Sequence, residues 1–206
     1  MNCTTLGSIG GNFMTNKRQQ QTQKLVLGAI MTALVIILQL VGSFTTFFGP
    51  FSTAVALIPI VLGAAMCGTA VGAWLGFVFG MVVILSGGAA LFFAFDVPGT
   101  IITVLFKGTL CGLAAGLIYK LLSKYNKYLA VFASAIICPV VNTGIFLLGC
   151  YIFFMDSAKE IATAVGLNSS GMGVFWALAM GNFALEIISN AVLSPVIVRI
   201  LNFKRN

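Results

Sequence analysis

Residues 25–43 read LVLGAIMTALVIILQLVGS, a stretch without one charged side chain. At about 1.5 Å rise per residue a helix of this length covers roughly 28 Å. The hydrocarbon core of a bilayer is about 30 Å thick. The flank before it, NKRQQQTQK at 16–24, is polar and basic. An apolar helix with a cationic collar is the pattern of a membrane span. The rest of the chain agrees: 60% of its 206 residues are hydrophobic and 7% are charged. Mean hydropathy is +1.10, whereas soluble domains carry about a quarter charged residues. An all-α integral membrane protein follows, with no room for a soluble enzymatic domain.

Outward from this first span, five more apolar segments are expected, at 53–67, 69–86, 99–119, 129–154 and 174–200. The second is short and holds Pro59, so five spans with one re-entrant segment is the competing layout. The second and third meet at Gly68 in a tight hairpin. Six spans with the N-terminus inside put nine of the eleven basic residues on or beside the inner face. They are Lys17, Arg18, Lys24, Lys120, Lys124, Lys127, Arg199, Lys204 and Arg205. The outer loops hold only Lys159, and Lys107 lies inside span four. This bias predicts that both termini are cytoplasmic. Residues 1–24 read as a polar cytoplasmic tail, expected to be disordered, and 25–206 as one membrane domain. Met14 would make a natural start, with 1–13 an extension.

Several function classes drop out. The net charge of +7 is spread over span ends rather than gathered in a nucleic-acid patch. There is no His, which removes a Ser-His dyad and the HExxH zinc motif. "NSSG" at 168–171 resembles a serine-protease motif only faintly, and it lacks a base. Cys3, Cys67, Cys111, Cys138 and Cys150 form no CxxC pair. No GxxxxGK[ST] loop is present, so any ATP-driven step belongs to another subunit. No residue is assigned a catalytic, metal or cofactor role.

The two halves of the membrane domain carry different chemistry. Spans one to three offer small residues at helical spacing: Ala29 and Ala33, then Gly68, Gly72, Gly76 and Gly80. Such stripes allow close helix approach. Packing within the chain suits the glycines, whereas the alanines fit a partner subunit equally well. Spans four to six hold the polar groups: Thr100, Thr103, Lys107 and Cys111; Asn142 and Thr143 after Pro139; and Asn182, Glu186, Ser189 and Asn190. Lys107 and Asn182 come about 12 Å below the outer ends, and Asn142 and Glu186 about 18 Å. Two layers of one outward cavity are expected. Buried charges in a bilayer face a partner or a wet cavity. Three readings of the Lys107–Glu186 pair are open. It is a structural ion pair, a solute site, or the proton path of a self-sufficient secondary transporter using Glu186. The Phe-rich loops 44–52 and 87–98 serve as interfacial belts or as lids, and loop 155–173, helical around 156–165, as a flap.

The chain resembles the substrate-binding S components of energy-coupling factor (ECF) vitamin transporters. The resemblance rests on LGAIMTALVIIL with Ala29 and Ala33, on FGPFSTAVALIPIVLGAAMCGTAVGAWLGFVFGMVV, and on LFKGTLCGLAAGLIYKLL. It implies high-affinity capture of a vitamin-like solute at the outer face of a bacterial cell membrane. It also implies docking through Ala29 and Ala33 on a transmembrane T component that carries two cytoplasmic ATPases. Toppling of the S component then carries the ligand across. The expected solute contacts are Lys107, Asn142, Asn182, Glu186, Thr103 and Asn190, with Trp176 and Phe92 near the mouth beside Phe93 and Phe175. One lysine among amides and hydroxyls suits a small carboxylate such as pantothenate, whereas the aromatics would suit riboflavin or folate.

Overall fold

The computed structural model describes residues 4–45, 56–164, 166 and 171–203. The described residues are helical, without a strand: α1 (Thr4–Thr45), α2 (Leu57–Cys67), α3 (Thr69–Leu85), α4 (Ala90–Phe93), α5 (Val97–Leu122), α6 (Lys127–Phe153), α7 (Ala158–Ala164) and α8 (Met172–Phe203). Four stretches are long and apolar enough to cross a membrane: Gln21–Ser43, Val97–Leu122, Lys127–Phe153 and Met172–Pro195. Helices α2 and α3 are apolar but shorter. The chain is therefore an all-α, multi-pass membrane bundle.

Two local differences stand out. Helix α1 runs back to Thr4, where a disordered tail is expected over 1–24. The Gln, Lys and Arg residues at 17–24 are good helix formers, whereas nothing in the Gly-rich residues 4–16 explains the helix there. Pro59, expected to break span two, sits in the first turn of α2. There its missing N–H removes no helical hydrogen bond. The expected loop 44–52 falls mostly outside the described residues, as does most of "NSSG" at 168–171.

Helix boundaries follow from particular residues. Gly68, at φ 104° and ψ 173°, separates α2 from α3; a side chain there would be strained. Asn126 caps α6, its Oδ1 accepting from the backbone N–H of Tyr128 and Leu129. Pro139 and Pro195 lie within α6 and α8.

Helix α5 is the centre of the bundle, flanked by α3 and α6, with α8 on the far side of α6. Its contact with α3 is an antiparallel seam of glycines. A Cβ on Gly76 would strike the carbonyl of Gly108, and one on Gly108 would strike that of Gly76. Gly72 and Gly112 stand in the same relation. The glycine run of span three is thus internal packing. The α5 half of the seam, Gly108, Gly112 and Gly116, has the same four-residue spacing but is not singled out in the sequence reading. A large core joins α1, α2, α3, α5 and α6 through residues such as Val35, Leu57, Leu75, Cys111 and Ala135.

Helix α1 turns Met31, Val35 and Gln39 inward. Ala29 and Ala33 lie on its exposed face, beside Ile30, Leu34 and Ile37.

Candidate functional site

Glu186 is fully buried, and three asparagines answer it. Asn142 Nδ2, from α6, donates to both carboxylate oxygens at 3.3 Å. Asn182 Nδ2, one turn earlier on α8, donates to Oε1 at 2.6 Å. Asn190 Nδ2, one turn later, donates to the backbone carbonyl of Glu186 at 2.8 Å. The Asn142 and Asn182 amide nitrogens face the carboxyl oxygens, and that of Asn190 faces a backbone carbonyl. That choice turns the other end of each amide away. Asn142 Oδ1 and Asn190 Oδ1 are buried without a hydrogen-bond partner, and so is Thr103 Oγ1 of α5. An unpartnered buried polar group costs about 1–3 kcal/mol. Two of these acceptors belong to asparagines that bond Glu186, and the third lies on α5 beside Gly149 of α6.

Thr103 reaches this place because α6 leaves room for it. A Cβ on Gly149 would collide with the Thr103 side chain. One turn along α5, Lys107 extends its ammonium over the ring of Phe146, with Nζ 5.2 Å from the centroid. This is within cation–π range. Among the described residues no ion pair within 4.0 Å joins Lys107 to Glu186. The lysine therefore lies outside direct contact with the carboxylate.

A small second core roofs the site at the end of the bundle where α4 and α7 lie. Cys150 and Phe154 of the α6 end, Ala158 and Ile161 around α7, and Val174 and Phe175 of α8 are buried together. Phe92 of α4 packs against them, its ring meeting Phe146 at 5.4 Å and Phe154 at 5.1 Å, both edge-on. Phe92 of loop 87–98 and Ala158 and Ile161 of α7 thus pack together at this end of the bundle. The same Phe146 carries Lys107 on one side and Phe92 on the other. Trp176 is different: it is 51% exposed, and no described contact ties it to the carboxylate.

Thr100 is also buried, but its hydroxyl donates to the Asp96 carbonyl, so its hydrogen bonding is internal. One buried polar residue lies outside the expected polar half. Gln39 of α1 donates to Ser43 Oγ at 3.4 Å, and Ser43 Oγ donates to Ser86 Oγ at 2.8 Å, tying α1 to the end of α3. Its Oε1 is unpartnered. The run QLVGS at 39–43 was its only sequence signal. No group of three or more His, Cys, Asp or Glu among the described residues could hold a metal ion.

A polar layer inside an apolar helical bundle is an arrangement that could hold a solute. The family model of the ECF transporter substrate-specific component matches residues 23–198, and the chain belongs to that family. No curated protein and no solved structure matches it.

Proposed function

We propose that this chain captures a vitamin-like carboxylate from outside a bacterial cell membrane and delivers it by docking on a T component with two ATPases. Membership of the ECF substrate-specific components supports the role. The observation that carries the substrate class is the set of orphaned acceptors beside a lysine. Asn142 Oδ1 and Thr103 Oγ1 await donors, and Lys107 offers a positive charge one turn away. A ligand that satisfies all three has an anionic end together with N–H or O–H groups. Pantothenate has a carboxylate, an amide and hydroxyls, and is the preferred substrate of this reading. Riboflavin and folate come second, because Phe92, Phe146 and Phe154 are engaged with one another. Few polar anchors in an apolar pocket are the usual basis of such recognition.

Docking falls to the exposed face of α1, where Ala29 and Ala33 leave a shallow strip between larger apolar side chains. Ala33→Leu is expected to leave solute binding unchanged and to lower co-purification of the T component at least tenfold. Small-residue faces work through close backbone approach. Unchanged co-purification would remove the docking assignment.

Liposome uptake tests the whole reading. The chain alone should bind solute without accumulating it, and accumulation should need the T component, both ATPases and ATP. Accumulation by the chain alone under a pH gradient, lost in Glu186→Gln, would replace this reading with a proton-coupled carrier.

A further inference from the structure

At the end of the bundle opposite the aromatic roof lies a cavity of about 250 Å³. The start of the α1 span, the α2–α3 turn and the end of α5 build it. Its polar lining is Lys24, Thr69, Tyr119, Lys120 and Ser123. Two of these are cations from different helices, and no acidic residue lines the cavity. The chain has only four acidic residues: Asp96, Asp156, Glu160 and Glu186. All four lie in the other half of the bundle, at the roof or in the candidate solute site. The positive charge here is therefore uncompensated by the protein.

Two further features favour an anion. Helix α3 begins at this cavity with no side-chain cap, and a helix N-terminus favours negative charge. Thr69, Ser123 and Tyr119 add hydroxyls. Glycines keep the floor shallow: a Cβ on Gly116 would press against Thr69. Basic pockets between membrane helices characteristically hold phosphate head groups.

We propose that this cavity binds a phosphate group, held between Lys24 and Lys120 and by hydroxyls at the start of α3 and the end of α5. The phosphate comes from an anionic phospholipid or from solution, and both present the same chemistry to the two lysines. The site is separate from the solute layer and does not depend on the substrate reading.

Native mass spectrometry of the full chain in detergent tests it. Phosphatidylglycerol and phosphatidylcholine with matched acyl chains serve as lipid probes, and inorganic phosphate as the soluble one. Phosphatidylglycerol should be retained over phosphatidylcholine. Lys24→Gln and Lys120→Gln should each lower its retention about fivefold, the scale of one lysine near an anionic surface. Lys127→Gln, on the same end but outside the cavity lining, should not. Displacement of phosphatidylglycerol by inorganic phosphate, or a phosphate-induced thermal shift lost in the double variant, identifies the soluble source. Retention resistant to phosphate identifies the lipid. If neither probe binds, if the two lipids are retained equally, or if the double variant loses no more than Lys127→Gln, the site is overturned.

Discussion

Lys107→Met is expected to weaken solute binding roughly 10- to 150-fold while leaving the thermal midpoint of the ligand-free protein nearly unchanged. The first half follows from the role proposed for the ammonium. A hydrogen bond to a charged group is worth about 1.5–3 kcal/mol, and each 1.4 kcal/mol is tenfold in Kd. The second half follows from what Lys107 touches. Its described contact is the face of Phe146, without an ion pair to Glu186 inside 4.0 Å. Methionine keeps an apolar chain against that ring and removes only the charge. Titration calorimetry and a melting curve on the same preparation check both halves. A large fall in midpoint would mean that the lysine serves the fold.

Gly76→Leu is expected to have the opposite profile, destroying the fold before binding can be measured. Any side chain at Gly76 meets the backbone of Gly108 and Thr109. Backbone cannot step aside as a side-chain tip does, so α3 and α5 must separate along their whole seam. Overpacking a core ordinarily costs about 1–3 kcal/mol, and a leucine against a carbonyl lies at or above the top of that range. Gly144→Ala is the control: nothing lies within 4 Å of its added Cβ. Replacing a mid-helix glycine there should stabilise the protein by about 0.5–1 kcal/mol. Yield and melting midpoint in detergent report both. Equal behaviour of the two variants would refute the seam.

The contrast between these residues shows what the sequence made legible. Hydropathy marked the apolar helices, because span length is a one-dimensional property. Gly68 was readable as the α2–α3 joint, since only a turn explains it between two apolar runs. The level of Asn142 with Glu186 came from counting rises along two antiparallel helices, and those two side chains do hydrogen-bond. The rotation of one helix against another was not readable. Lys107 faces Phe146, and Thr103 one turn earlier packs on Gly149 of the same helix α6. Likewise, no periodicity links Phe92 to Phe154. They meet because α4 and the end of α6 lie at the same end of the bundle. Gln39 escaped notice because one amide barely alters the hydropathy of a long apolar run.

The central claim is that the layer formed by Thr103, Lys107, Asn142 and Glu186 holds a small carboxylate. Mass spectrometry of the solute that co-purifies with the detergent-extracted protein tests it most directly, run in parallel on the wild type and on Lys107→Met. The account predicts one stoichiometric small acid bearing amide or hydroxyl groups, present on the wild type and missing from the variant. A solute without an acidic group, or the same acid retained equally by both proteins, would contradict it.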